Sequence, residues 1–314
     1  LQNLTQLHHF KLVAQEGSFA RAAELAHITQ PALSNSIRSL ETRLGMTLFE
    51  RSERPVRLTA AGRNIIARVE AILFQSRNLE QTLANLNAGT GGHIRLGVPP
   101  VFSTALAGPI IAEWHNAFPN VTLDMIVRET VELKPTLRDE MCDVIVGDMR
   151  DMRSHVEDMD LVELSPQSGG AYCRPGHPIL TIRNPLPRDL SRYKLAGPQF
   201  PEDVLRDLAK FLGIEWNGAE PLIAVTSHNI AALRDAVAES DLVLLTTAGT
   251  VRNQVSLGIL KKIPIDIGVS GVWTVATLKG KVHHPAVPRL IDKIVDISRR
   301  EHENRIAATR LPSA

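Results

Sequence analysis

The sequence predicts a helical N-terminal domain carrying a short β-hairpin, then a long linker helix, then an α/β C-terminal domain. Three observations predict it. Apolar residues recur at helical spacing through the first 45 residues, punctuated by Gly17 and Gly45. A single apolar stripe then persists across residues 59–88. From His93 onward, strand-like segments alternate with helix-like ones. A chain of 314 residues is long enough for two domains that each bury a core.

In the first domain Leu4, Leu7, Phe10, Val13 and Ala14 share a helix face, and Gly17 supplies a stop. Ser18 can cap a second helix over 19–26, where Ala20, Ala22, Ala23 and Ala26 permit close packing. A short turn, 27–29, leads to a third helix capped by Thr29, with Pro31 in its first turn. Its buried stripe is Leu33, Ile37, Leu40 and Leu44, which leaves Gln30, Pro31, Ala32, Ser34, Asn35, Arg38, Glu41 and Thr42 off the stripe. Helix, tight turn and helix is the geometry that places a second helix in the DNA major groove. Residues 48–58 form two strand-like pieces about a polar turn, the pattern of a hairpin wing.

Thr59 can cap the long helix, which runs to about residue 88 and would measure roughly 45 Å. Ile65, Val69, Ile72, Ser76, Leu79, Leu83 and Leu86 alternate spacings of four and three, a heptad seam broken only by Ser76. Its apolar members are expected to pair with a second copy rather than with their own domain. Gly89, Gly91 and Gly92 make a hinge.

Strands are expected at 93–98, 121–127, 143–146, 222–226, 242–245 and 273–278. Helices are expected at 104–117, 131–140, 201–212, 228–239, 247–257 and 288–303, two of them containing Pro109 and Pro135. This alternation implies parallel sheets, whose ligands sit beyond the carboxyl ends of the strands. The last residues, 307–314, read as a disordered tail.

Composition excludes several classes. Hydrophobic residues at 44% and charged residues at 22% describe a soluble globular chain. No apolar run approaches membrane-spanning length, and the first residues lack a basic, then apolar, export signal, so a cytoplasmic protein without membrane contact is expected. The net charge of +1 is unevenly shared: residues 1–92 hold ten Lys/Arg against seven Asp/Glu, a weak hint of a polyanion partner. Two cysteines, Cys142 and Cys173, cannot build a disulfide framework. There is no Gly-x-Ser-x-Gly elbow, Walker loop or His-Glu-x-x-His motif, and His283-His284 has no acidic companions. Neither an enzyme, a solute carrier nor a metal or cofactor site is expected.

The stretch 17–25 (GSFARAAEL), then 29–34 (TQPALS), 48–51 (LFER) and 56–62 (VRLTAAG) closely resembles the signature of LysR-type transcription regulators. A looser similarity continues downstream, including 174–178 (RPGHP). The resemblance implies a winged helix-turn-helix over 1–58 and a dimerising linker and hinge over 59–92. It further implies a periplasmic-binding-protein-like effector domain over 93–306, with subdomains at about 93–163 plus 267–306 and at 164–266. Double-stranded promoter DNA with a two-fold related site, a homodimer or homotetramer, RNA polymerase and a small-molecule effector are the implied partners.

For DNA, the resemblance and the helix pattern together point to Gln30, Pro31, Ala32, Ser34 and Asn35 at base edges. Asn and Gln pair with adenine, and small apolar groups meet the thymine methyl. The family often has Arg where this chain has Asn35, which shifts the expected half-site from guanine toward adenine. Arg54 at the wing tip suits a narrow minor groove, while Arg38, Arg51 and Arg57 suit phosphates. The seam residues expected at the dimer interface are Ile65, Val69, Ile72, Leu79, Leu83 and Leu86.

For the effector, position after the strands points to Pro100, Val101, Phe102, Ser103, Arg128, Thr130 and Gly147 from one subdomain. Gln199, Phe200, Pro201, Glu202, Ser227, His228 and Thr247 come from the other. Ser103 and Thr130 are the leading hydroxyl donors, and Arg128 and His228 could pair with a carboxylate. Residues 239–248 (ESDLVLLTTA) depart from the family, which tends to a Gly-rich loop and a Pro there. The alternative reading is a redox-sensing regulator using Cys142 and Cys173 as a thiol switch.

Overall fold

The computed structural model of the chain describes residues 4–50, 55–88, 91–152, 156–267 and 270–310. It divides into two compact units, Leu1–Asn87 and Ala88–Ala314.

The first unit opens with α1 (Leu4–Glu16), α2 (Phe19–Leu25) and α3 (Gln30–Leu44). The caps are the expected ones. Ser18 accepts from the Arg21 N–H and Thr29 from the Ala32 N–H, each at 3.4 Å. Gly45 closes α3 with φ +67, a left-handed conformation that glycine adopts without Cβ strain. Leu7, Phe10, Val13, Ala22, Ala23, Leu33, Ile37 and Leu40 form one core. Glu41, expected on the solvent face, is buried instead: its Oε1 accepts the Leu48 N–H at 2.8 Å. That bond ties the end of α3 to a hairpin of β1 (Phe49–Glu50) and β2 (Arg57–Leu58), paired antiparallel.

The linker helix α4 spans Ala60–Ala88. Its seam divides. Val69 is buried in the core of its own unit, and Ile65 packs against that core. Leu73, which the heptad count passed over, is buried with them. Residues 65, 69 and 73 lie at successive i, i+4 positions, one face of a 3.6-residue helix. The expectation that Ile65 and Val69 meet a second copy is therefore corrected. Ile72, Leu79 and Leu83 lie on another face and are exposed, at 44%, 61% and 51%. The side chain of Leu86 lies outside the described residues.

The second unit contains β3 (Gly92–Val98), α5 (Pro100–Ala117), β4 (Val121–Val127), α6 (Thr130–Arg138), β5 (Val144–Asp148), α7 (Met149–Met152) and β6 (Met159–Glu163). It continues with β7 (Gln167–Cys173), α8 (Pro187–Leu190), β8 (Leu195–Gly197), α9 (Glu202–Leu212), β9 (Val225–Thr226), α10 (Ile230–Ala238) and β10 (Val243–Thr247). It ends with α11 (Arg252–Ser256), β11 (Lys261–Lys262), β12 (Ser270–Gly271), β13 (Trp273–Leu278) and α12 (Val287–Arg310). The closing helix continues past residue 307, where a tail was expected. The segment 247–257 becomes a 3-10 turn, Ala248–Val251, followed by α11.

Two sheets result, and both are mixed rather than parallel. The first has the order β4-β3-β5-β13-β6. There β3 is parallel to β4 and β5, while β13 runs antiparallel to β5 and β6. In the second, order β11-β7-β10-β8-β9, β8 is parallel to β9 and β10, and β7 is antiparallel to β10, β11 and β12. The chain leaves the first sheet after β6 and re-enters it at β13.

Each sheet has its own core. In the first, Phe102 meets Trp273 edge-on with centroids 4.9 Å apart. Asp143 staples β5 to β3 by accepting the Arg95 N–H at 2.9 Å, and it holds Lys281 at 3.2 Å. The two subdomains approach closely where a Cβ at Gly249 would stand 2.9 Å from Ala105 Cβ. Among the described residues, no helix is long and apolar enough to cross a membrane, and no group of three or more His, Cys, Asp or Glu could hold a metal.

Candidate nucleic-acid interface and ligand cleft

α3 presents two faces. Leu33, Ile37 and Leu40 hold it to the core, and Gln30, Pro31, Ala32, Asn35 and Arg38 stand exposed, with Ser34 half-buried. The exposed set begins at the helix N-terminus, where free N–H groups and the helix dipole favour a phosphate. Arg38 Nη1 donates to Asn35 Oδ1 at 3.3 Å, so the guanidinium and the amide form one polar surface one turn into the helix. The helix is fixed from behind: His9 Nδ1 lies 2.7 Å from Ser36 Oγ, and burial lowers the His9 pKa. Arg57 on β2 is also exposed. Arg51 and Arg54 lie outside the described residues.

The second unit holds a cavity of about 330 Å³ between its subdomains. Of the predicted effector residues, Val101, Thr130, Gln199, Phe200, Pro201 and Thr247 line it. The others do not. Pro100 and Phe102 are buried, because α5 begins at residue 100 rather than 104 and turns both into the packed interior. Ser103 is half-buried on the same helix, away from the wall. Gly147 is covered by Thr130 and Met152, whose side chains would lie 2.6 and 3.0 Å from an added Cβ. Arg128 is exposed, Glu202 pairs with Arg206 at 2.5 Å, and Ser227 Oγ accepts the Asn229 N–H at 3.0 Å. His228 contacts Glu129 at 2.6 Å, with only Glu129 on the wall.

Several wall residues escaped the strand-end rule. Arg150 comes from α7, Trp273 from β13, and Val204 and Leu208 from α9, while Asp148 ends β5, where the rule does point. Val204 and Leu208 stand at i, i+4 spacing on the helix expected over 201–212, a spacing that marks an apolar face without saying what covers it. Asp148 is fully engaged. Its Oδ1 accepts from the Arg150 backbone N–H at 2.9 Å and Nε at 2.8 Å, and its Oδ2 accepts from Nη2 at 2.7 Å. The Asp148 N–H in turn donates to Thr130 Oγ1 at 3.2 Å. Thr247 differs: its Oγ1 is buried without a hydrogen-bond partner, which costs about 1–3 kcal/mol.

The two cysteines are both fully buried. Cys142 precedes β5, and burial raises its pKa. Cys173 sits in the core of the second sheet, where burial pushes its thiol up to about 11. Neither is poised as a reactive thiolate.

Comparison with known proteins agrees with both halves of this geometry. Residues 4–63 match the family model of the bacterial regulatory helix-turn-helix protein, lysR family. Residues 87–297 match the LysR substrate binding domain. The SDS degradation transcriptional activation protein of Pseudomonas sp. (strain ATCC 19151) is 31% identical over 301 residues, covering 94% of this chain and 96% of that protein. A probable hydrogen peroxide-inducible genes activator of Streptomyces viridosporus is 30% identical over 186 residues, 58% of this chain and 60% of that one. Among solved structures, ArgP from Mycobacterium tuberculosis superposes with a TM-score of 0.63 at 19% identity, covering 95% of this chain and 97% of that one. A full-length OxyR variant from Pseudomonas aeruginosa gives 0.61 at 24% identity and 95% coverage of each chain. With an exposed α3 on a helix-turn-helix core and a two-sheet domain enclosing a cleft, this chain belongs to the LysR family of transcription regulators.

Proposed function

We propose that the chain acts, without catalysis of its own and in the cytoplasm, as a homodimer or homotetramer that seats one α3 per copy in a two-fold related promoter site. A small molecule in the cleft alters that complex and its contact with RNA polymerase. The observation that carries this reading is the exposed run Gln30, Pro31, Ala32 and Asn35 at the N-terminal end of α3, over a fully buried opposite face. Gln30 and Asn35 carry the paired donor and acceptor that adenine requires, and Arg38 and Arg57 are placed for phosphates. Ile72, Leu79 and Leu83 supply an apolar stripe for a second copy. Val101, Thr130, Gln199, Phe200, Pro201 and Thr247 meet the effector, and no cofactor is needed. A thiol switch is set aside, although some relatives are named as activators of hydrogen peroxide-inducible genes, because Cys142 and Cys173 are buried with raised pKa values.

The dimer is tested by a Leu79→Glu, Leu83→Glu double variant. Analytical ultracentrifugation should find it monomeric, with DNA affinity lower by at least about tenfold because one half-site contact is lost with its partner's effective concentration. An unchanged assembly state and affinity would remove α4 from the interface.

A further inference from the structure

We propose that the cleft takes an uncharged amphiphile, a small molecule with an apolar body and one hydrogen-bonding oxygen, rather than an ion. The proposal rests on the cleft being the effector site. Its walls set the body. Phe200, Val204, Leu208, Leu245 and Ile267 line the cavity from the second subdomain. Leu208, Leu245 and Ile267 belong to that subdomain's hydrophobic core, so the cavity reaches from the cleft into the core. A volume of about 330 Å³ is at the small end for ligand sites. It equals the liquid volume of roughly eleven water molecules at about 30 Å³ each.

Each charged side chain on the described wall already has a partner. Among the described residues lining the cavity, Arg150 is the one cation, and both oxygens of Asp148 hold it. Glu129 holds His228. A carboxylate ligand would have to share Arg150 with Asp148 and stand close to that carboxylate beside apolar walls, a poor exchange where charges are desolvated. Arg128 offers no escape, since it is exposed and off the wall. A cationic ligand would compete with Arg150 for Asp148 in the same way.

One buried polar side chain on the described wall remains to be matched. Thr247 lines the cavity, is 9% exposed, and its Oγ1 lacks a partner. A hydroxyl both donates and accepts, so an alcohol, ether or carbonyl oxygen satisfies it without bringing charge. Turned into the cavity from its buried position, Thr247 Oγ1 meets the polar end of the ligand, and the α9 wall takes the rest.

The test uses the full-length chain with 1-decanol, decanoate and decylamine, which share a chain length and differ in charge. Each is titrated below its aggregation concentration and read by calorimetry. Decanol should bind at least about tenfold more tightly than either ion, given the cost of burying an unpaired charge. Thr247→Val, nearly isosteric, should weaken decanol about three- to tenfold, the net worth of one hydrogen bond. Val204→Phe should fill the channel and abolish binding, with circular dichroism confirming the fold. If decanoate or decylamine binds as tightly as decanol and Val204→Phe still weakens it, the uncharged-ligand proposal falls and the cleft stays the effector site. Binding indifferent to both variants would overturn the proposal and contradict the cleft reading as well. No binding by any of the three probes also overturns the proposal.

Discussion

A Gly62→Val chain loses DNA binding while its effector unit stays folded. A Cβ at residue 62 would lie 2.4 Å from the Leu48 carbonyl oxygen and 2.9 Å from Leu58 Cδ2. The first of these is backbone and cannot rotate away. Gly62 also sits in the first turn of α4, where its N–H donates to Thr59 Oγ1 at 3.0 Å, so the helix start has little room to shift. Leu48 is a core residue whose N–H is held by Glu41 at the end of α3. Displacing it therefore loosens the recognition helix itself. Overpacking costs about 1–3 kcal/mol where side chains can yield, and more is expected against backbone. That is a large fraction of the roughly 5–15 kcal/mol that holds a domain together. The readout is clean because Trp114, Trp216 and Trp273 all lie in the second unit. Tryptophan-detected melting should be unchanged, whereas helical circular dichroism falls and DNA binding disappears. Retained DNA affinity would show that the close packing around Gly62 is not needed.

An Asn35→Arg variant should change which base is preferred within each half-site, from adenine to guanine. Asn35 is exposed one turn into α3, beside Arg38. Its amide matches adenine N6 and N7, whereas a guanidinium matches guanine O6 and N7, each pairing being worth about 1–3 kcal/mol of discrimination. The switch should thus be about five- to 150-fold at one position, with neighbouring positions little altered. Binding of the variant to duplexes that differ at single positions measures it. An unchanged preference would place Asn35 outside the base contacts.

Much of the first unit was legible because its signals are local. Ser18, Thr29 and Gly45 act on backbone within a few residues of themselves, and they terminate or cap helices where expected. The α4 seam was only half legible. A heptad count reports that a stripe exists, not which neighbour covers it, and the core of the first unit claims Ile65, Val69 and Leu73. The second unit was harder, for a related reason. β7 reads QSGGAYC, too rich in glycine to announce a strand, and it owes its order to β10, some seventy residues later. Likewise β13 enters the first sheet antiparallel to β5, so the sheet's mixed character depends on a distant pairing. The cleft follows the same division. Strand ends located its loops, and Thr130 and Thr247 were found that way. Trp273, Val204 and Leu208 were not, since they reach the cavity from a strand and a helix rather than from a loop after a strand.

The most direct measurement of whether this chain reads DNA with α3 is selection of bound duplexes from a random pool by the purified full-length chain at moderate salt. A two-fold related, A·T-rich site is expected, its half-sites spaced for two recognition helices on one face of the duplex. Recovery of no shared sequence, or of a single asymmetric motif, would contradict it.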